Sequence, residues 1–212
     1  MMSSRDGFVI KKDSKCAVIV AHPDDETLWA GGLILMHPEV QWTIVSICRK
    51  SDADRAPKFF KALEQLNATG KMGDMDDEPE QFPLDDLDLQ NIIVRLLDTN
   101  RFDLIITHGL NGEYTRHLRH EETAKAVLGL WRNGGLDSEQ ILMFAYEDGG
   151  GEYIPKPAPA RRDSDILIKL PEEIWRKKYD IITKIYGFGP DSFEAKAAQR
   201  QESFCGMKRS DK

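Results

Sequence analysis

The sequence predicts an α/β protein in which helices cover both faces of a mostly parallel central sheet. Short, uninterrupted apolar runs alternate with segments of helical periodicity along most of the chain. The apolar runs are rich in valine and isoleucine, which is typical of strands buried on both faces. The chain has 212 residues, of which 41% are hydrophobic and 31% charged, so it is long enough to enclose such a core.

The elements follow one another in a regular order. In the first half, the pattern predicts strand 16–22, helix 26–37, strand 42–49, helix 54–68, a short strand and acidic loop within 70–85, helix 88–101 and strand 102–109. In the second half, it predicts loop 110–120, helix 121–133, strand 140–148, loop 149–162, strand 165–170 and helices 171–187 and 191–204. The alternation of strands and helices indicates parallel strand connections.

Composition excludes several functional classes. The net charge of −7 argues against nucleic acid as the main partner, because a phosphate backbone attracts basic surfaces. No apolar run approaches the roughly 20 residues of a membrane span, and the polar N-terminus does not resemble a signal peptide. Three cysteines without paired spacing are expected to be reduced thiols, so we expect a cytoplasmic protein.

Two polar clusters follow predicted strands. His22, Asp24 and Asp25 come directly after the first strand, whereas His117 and His120 come after strand 102–109. Binding sites in open parallel sheets form outside the carboxyl ends of the strands. If these two strands are neighbours, the clusters are expected to meet across one crevice.

A divalent metal ion would explain this meeting of histidines and acids. Catalytic zinc takes three histidine or carboxylate ligands and keeps a fourth position for water. His22 and one aspartate can supply two ligands, and a later histidine can supply the third. The other aspartate would then be free to act as a general base. The spacing leaves open which aspartate, Asp24 or Asp25, has which role.

The motifs resemble those of a known family. The segment AHPDDE, followed by Gly31 and Gly32, resembles the signature of the LmbE-like or PIG-L (N-acetylglucosaminyl-phosphatidylinositol de-N-acetylase-like) deacetylases. The segment GEYTRHLRH is similar to the family's second motif, and the resemblance covers residues 16–170. It implies a Rossmann-like fold, a single deacetylase domain over residues 1–212 with C-terminal helices from about residue 171, and removal of an acetyl group from an amino-sugar nitrogen.

The resemblance also implies roles for individual residues. The metal, Zn²⁺ or Fe²⁺ in the cell, would be held by His22, Asp25 and His120. Asp24 would be the general base, and His117 would stabilise the oxyanion or protonate the leaving amine. Two further residues, Arg55 and Tyr114, would bind the substrate. The implied partner is a small N-acetyl amino-sugar molecule, and a homo-oligomer is compatible with the sequence.

Three departures from the commoner family pattern bear on these roles. Arg119 stands where an aspartate is common, and a cation beside His117 would lower the pKa of that imidazole. The spacing from Tyr114 to His117 is one residue longer. Lys58 replaces an acid that often follows the Arg55 position, which indicates a different substrate.

Two other functions compete with deacetylation of a sugar. One is a metal-dependent amidohydrolase or esterase for another N-acyl or O-acyl substrate, with the acidic loop of residues 74–80 facing the ligand. The other is a nucleotide-binding module that performs no hydrolysis. Its only support is the pair Gly31 and Gly32. Two observations argue against it: the spacing is not GxGxxG, and carboxylates occupy the place of a phosphate.

Overall fold

The computed structural model describes residues 3–4, 8–113, 117–146 and 164–209. Within these residues, eight strands form one sheet: β1 (Ser3–Ser4), β2 (Lys15–Val20), β3 (Gln41–Cys48), β4 (Ala68–Met75), β5 (Leu104–Thr107), β6 (Gln140–Phe144), β7 (Ile166–Lys169) and β8 (Gln201–Lys208). The helices are α1 (Asp25–Met36), α2 (Arg55–Gln65), α3 (Asp86–Leu96), α4 (Leu118–Asn133), α5 (Glu172–Asp180) and α6 (Phe193–Ala197), with a π-helical turn at Ile181–Ile185.

The strand order explains where the site can form. The sheet runs β1–β7–β8–β6–β5–β2–β3–β4, and the strands from β6 to β4 are parallel to one another. The chain proceeds outward from β2 to β4 and then returns to β5 on the other side of β2. The switch in strand order therefore falls between β2 and β5, where α/β proteins bind their ligands. The predicted α/β class and mostly parallel sheet are confirmed.

The sheet is covered on both faces. Along β2, Cys16, Val18 and Val20 belong to one hydrophobic core, whereas Ala17 and Ile19 belong to the core on the opposite face. Helices α1 and α2 and the C-terminal helical segment pack in the first core, and α3 and α4 pack in the second. A strand with successive side chains in two cores must be apolar throughout, which is the pattern that predicted it.

The C-terminal part of the chain corrects one prediction. A helix was expected over residues 191–204, but α6 ends at Ala197 and the chain then forms β8. Strand β8 lies between β6 and β7 and is antiparallel to both. It buries Phe204 completely and joins Glu202 to the buried Lys178, so tertiary pairing outweighs the helix propensity of the alanine-rich sequence.

Gly32 allows α1 to pack closely against the C-terminal segment. A Cβ atom at this position would lie 2.3 Å from Leu170 Cδ2 and 2.9 Å from Glu202 Oε1. The Gly32 amide donates a hydrogen bond of 2.7 Å to the same carboxylate, which also accepts one from Leu33. Because Lys178 also binds this carboxylate, at 2.7 Å, the carboxylate cannot move away easily.

We expect Gly32→Ala to destabilise the protein by about 1–3 kcal/mol, because the added methyl group overpacks a filled site. The matched control is Gly129→Ala in α4, where the new Cβ would meet only the end of the Gln90 side chain, at 3.2 Å. That change gains helix propensity and is expected to be neutral or stabilising. Urea denaturation of both variants measures the difference, and equal stability for the two would contradict the close packing at Gly32.

Three further expectations from the sequence concern the cysteines, membrane-spanning helices and one predicted loop. Cys16 and Cys48 are buried free cysteines, as expected for core thiols, and burial raises the pKa of Cys16 to about 12. None of the helices in the ranges described above is both long enough and apolar enough to cross a bilayer. The predicted loop 149–162 lies outside the described residues.

Candidate active site

The two polar clusters meet at the carboxyl ends of β2 and β5, as the sequence predicted. These strands are adjacent and parallel, with Ile19 opposite Thr107. The turn after β2 leads into α1 and carries His22, whereas the chain after β5 leads into α4, whose first turn contains His120.

Three of the predicted residues converge on one point. His22 Nδ1 lies 3.2 Å from Asp25 Oδ2 and 3.1 Å from His120 Nε2. His120 Nε2 lies 3.4 Å from the same Asp25 oxygen. Two imidazole nitrogens and a carboxylate oxygen therefore form a nearly equilateral triangle.

The dimensions of this triangle suit a metal ion. Zinc binds histidine nitrogen and carboxylate oxygen at about 2.0–2.2 Å, so ligands at the corners of a tetrahedron lie about 3.3 Å apart. The three separations of 3.1–3.4 Å agree with that value. The donor set of two histidines and one carboxylate is also one that catalytic zinc uses. His22, Asp25 and His120 could therefore hold a metal, and we call them the ligand triad.

Each member of the triad is oriented by a second hydrogen bond. Glu113 Oε2 contacts His120 Nδ1 at very short range, and Asp77 Oδ1 lies 3.0 Å from His22 Nε2. Trp29 Nε1 donates to Asp25 Oδ1 at 3.2 Å. Carboxylates that bind the outer nitrogen of a ligating histidine fix its orientation and its tautomer. No pattern in the sequence singled out Asp77, which lies in the acidic segment of residues 74–80.

His108 supports the triad rather than joining it. Its Nε2 accepts the Ala21 amide hydrogen at 2.9 Å, so this nitrogen has no lone pair left for a metal. Its Nδ1 lies 3.1 Å from Glu113 Oε2, the oxygen that also contacts His120. The ring thus holds Glu113 in place. Burial opposes the shift, but the contacts of Glu113 with His108 and His120 lower its pKa to about 2.

Asp24 occupies an unusual backbone conformation at the start of α1. Its φ is 110°, in the region that residues with a Cβ rarely adopt. The side chain is buried, and Arg55 donates to its Oδ2 at 2.9 Å. Burial and the neighbouring charge of Asp25 raise the pKa of Asp24 well above its usual value, although Arg55 opposes this shift.

The His117 ring lies beside the triad, and one of its buried nitrogens has no hydrogen-bond partner among the described residues. Its ring centroid is 4.8 Å from that of His22 and 4.6 Å from that of His120. Its Nδ1 atom has no hydrogen bond to any described residue. Burial, followed by the charges of His120 and His22, lowers the pKa of His117 to about 3. The expected lowering is therefore found, but its cause is not Arg119.

Arg119 is directed away from His117 and fastens the acidic segment. The side chain is fully buried, and its guanidinium donates to the carbonyl oxygens of Asp76 at 2.6 Å and Phe82 at 2.9 Å. It also pairs with Glu122 at 2.5 Å. This arginine, which is unusual in the second motif, thereby fixes the acidic segment. Asp77, which contacts His22, belongs to that segment.

We expect Arg119→Ala to destabilise the fold by about 3 kcal/mol, because it removes a buried cation from a paired carboxylate. Arg132→Ala is the control, since Arg132 is an exposed residue in the last turn of the same helix. Thermal unfolding followed by circular dichroism measures both. A melting temperature for Arg119→Ala that matches the control would show that the acidic segment is held by other contacts.

A cavity of about 590 Å³ opens over the triad. Asp24, Arg55 and His117 contribute to its wall together with the triad. Residues that were not predicted as site residues also line it, among them Arg49, Asp77, Gln81, Phe193 and Glu194. Tyr114, the remaining predicted site residue, lies outside the described residues.

The sequence of this chain is similar to those of known proteins. The profile of the family described as PIG-L: GlcNAc-PI de-N-acetylase matches residues 17–131. An uncharacterized protein, L374, of Acanthamoeba polyphaga mimivirus is 21% identical over 188 residues, which cover 81% of this chain and 75% of that protein.

Two solved structures share the fold. A deacetylase of the teicoplanin biosynthesis pathway, solved as a bog complex, superposes with a TM-score of 0.64 at 13% identity, covering 94% of this chain and all of that one. The conserved protein TT1542 from Thermus thermophilus superposes with a TM-score of 0.61 at 17% identity, covering 92% of this chain and 94% of that one.

The fold and the family match define the class of this protein. The site lies at the switch point of an α/β sheet, and the matched region spans β2 to α4, which includes every member of the ligand triad. The chain belongs to the PIG-L de-N-acetylase family. By its family it is a deacetylase, an enzyme that hydrolyses amides.

Proposed function

We propose that this protein is a zinc-dependent deacetylase that removes the N-acetyl group from an amino sugar or sugar conjugate. The observation that carries the proposal is the ligand triad, whose three donor atoms have the spacing of a tetrahedral metal site. When bound there, a divalent cation would polarise the acyl carbonyl and lower the pKa of a bound water to about 7.

Asp24 is the general base in this proposal. It lies beside Asp25 in sequence, but its side chain is directed to Arg55 rather than to the triad. The raised pKa of its carboxyl group brings it nearer to neutral pH, which favours proton transfer from the attacking water. Asp25 is instead occupied by His22 and Trp29, which supports the division of roles between the two aspartates.

His117 stabilises the oxygen that becomes negative as the acetyl carbonyl is attacked. The ring lines the cavity beside both histidine ligands, and its buried Nδ1 has no described partner. A neutral imidazole can donate one N–H to this oxygen, and a donor of this kind contributes about 3–4 kcal/mol to the transition state. The proton taken by Asp24 passes to the amide nitrogen, with His117 as the relay, as the carbon–nitrogen bond breaks, so the amine leaves in neutral form.

Arg55 and Tyr114 remain the proposed substrate-binding residues. Arg55 lines the cavity, and its guanidinium lies 4.6 Å from the centre of the Phe188 ring, which limits its movement. Phe193 and Glu194 from α6 offer an aromatic surface and a hydrogen-bond acceptor on the same wall. Such a combination suits a sugar ring, whose faces are apolar and whose edge carries hydroxyl groups.

The remaining proposals concern the metal, the cellular compartment, the domain organisation and the oligomeric state. Fe²⁺ can occupy the same nitrogen and oxygen ligands, since metal availability decides between such ions in cells. The two buried free cysteines support a reducing compartment such as the cytoplasm. We propose a single domain over the full chain, because strands from both ends, β1 and β8, join the same sheet, and a homo-oligomer remains compatible with it.

Acetate release tests the function. Zinc-loaded protein is incubated with an N-acetylglucosaminide, an N-acetyl amino acid and an acetate ester, and free acetate is measured. We expect hydrolysis of the sugar amide, and its loss after chelation of the metal with recovery on adding zinc. Preference for the amino acid or the ester would instead support the alternative hydrolase function. Full activity in metal-free protein would contradict metal dependence.

A further inference from the structure

Glu26, the third acid of the AHPDDE segment, has no role in the proposed chemistry. It is fully buried and does not line the cavity. A carboxyl group is kept in such a place only when hydrogen bonds compensate for the lost water.

Three donors surround this carboxyl group. Oε2 accepts the backbone N–H of Asp24 at 2.9 Å, and Oε1 accepts the Thr27 hydroxyl at 2.6 Å. The third donor is the hydroxyl of Tyr186, 2.8 Å from Oε1 and 160 positions along the chain. Tyr186 directly follows the π-helical turn, is buried, and lies beyond the region that the family profile matches.

The first of these bonds acts on the strained residue. A backbone conformation like that of Asp24, with φ at 110°, costs about 1–3 kcal/mol and persists only when surrounding contacts impose it. The bond from its N–H to Glu26 fixes the orientation of the Pro23–Asp24 peptide. This orientation determines where the Asp24 carboxylate lies relative to the ligand triad.

We propose that Glu26 and Tyr186 are positioning residues that hold Asp24 in the conformation its role as general base requires. Tyr186 fixes the carboxyl group of Glu26, and Glu26 fixes the Asp24 backbone. This inference rests on the proposed function for the role of Asp24. It gives the C-terminal segment a part in catalysis, because Tyr186 acts on Asp24 through Glu26 without lining the cavity.

Tyr186→Phe tests the proposal, because it removes one hydroxyl group and keeps the ring. The control is Tyr179→Phe in α5, whose ring packs on Trp175. For zinc-loaded Tyr186→Phe, we expect kcat to fall by about tenfold, since a hydrogen bond to a carboxylate is lost, with KM and zinc content unchanged. For Tyr179→Phe, we expect all three to match the wild type. A kcat within twofold of wild type in Tyr186→Phe would overturn the proposal.

A double variant separates positioning from general destabilisation. In the Asp24→Asn background, Tyr186→Phe is expected to cause no further loss, because the hydroxyl acts only through Asp24. A further tenfold loss there would overturn the proposal. If Tyr186→Phe does not fold, Glu26→Gln takes its place, because it keeps the side-chain volume and one acceptor oxygen while removing the other.

Amide hydrogen exchange at Asp24 supplies a readout that does not depend on activity. We expect faster exchange of this amide in Tyr186→Phe than in the wild type or in Tyr179→Phe. Unchanged exchange would overturn the positioning role. If exchange responds as expected while the wild type releases no acetate from any substrate tested, the proposed function has failed and the hydrogen-bonded link to Asp24 stands.

Discussion

Replacing Asp24 by asparagine is expected to lower kcat by about 10²–10⁴-fold while zinc remains bound, because the variant loses the general base but none of the proposed ligands. Asparagine tolerates positive φ better than most residues, so the turn before α1 should keep its conformation. Steady-state acetate release and zinc analysis of the purified variant provide the two measurements.

The control for this variant is Asp54→Asn. Asp54 directly precedes α2, is mostly exposed and pairs with Lys58. We expect its activity and zinc content to equal those of the wild type. If Asp24→Asn lost its zinc, Asp24 would be a ligand, and the roles assigned to the two aspartates would have to be exchanged. Wild-type kcat in Asp24→Asn would show that another group accepts the proton.

Replacing His120 by alanine is expected to remove both the metal and the activity. The variant keeps only two protein ligands, which are too few for a tightly held zinc ion. We expect the zinc content to fall from about one per chain to nearly none, with acetate release below detection. Glu113 still accepts the Gly109 amide and contacts His108, so the local fold should persist.

His37→Ala is the matched control for the loss of a histidine. His37 follows α1 and lies 3.3 Å from Glu39, outside the cavity lining. Its zinc content and activity should not change. Circular dichroism of both variants separates loss of the metal from loss of structure. A His120→Ala protein that retains stoichiometric zinc would contradict the ligand triad.

The sequence predicted the parts of the fold that depend on local pattern. Strand β2 places successive side chains in two cores, so its apolar run identified it without any tertiary information. The final strand could not be found in this way. Residues 201–204 follow a helix-forming stretch, and only pairing with β6 and β7 and the ion pair with Lys178 make them extended.

In the candidate site too, some residues could be predicted from the sequence and others could not. Position after two strands pointed to His22, to one of two adjacent aspartates and to a later histidine. The family resemblance then selected Asp25 and His120, and the structure brings the donor atoms of all three residues together. Asp77 and Tyr186 could not be selected, since their importance comes from contacts between distant parts of the chain.

The acidic segment, residues 74–80, shows why composition was ambiguous. From the sequence, this loop was expected to face the ligand only under the alternative hydrolase function. In the structure, Arg119 anchors it to α4 and Asp77 contacts His22, so part of it faces the site. Arg119 was expected to act on His117, and its burial and its contacts with this segment became evident only in three dimensions.

The proposed function depends on one metal ion bound by His22, Asp25 and His120. The most direct test is a crystal structure of the zinc-loaded protein with anomalous diffraction at the zinc edge. We expect one strong peak at about 2.0–2.2 Å from His22 Nδ1, Asp25 Oδ2 and His120 Nε2. A peak among His22, Cys48 and Asp77, the other side of the same imidazole, would contradict the claim, as would the absence of any peak within the triad.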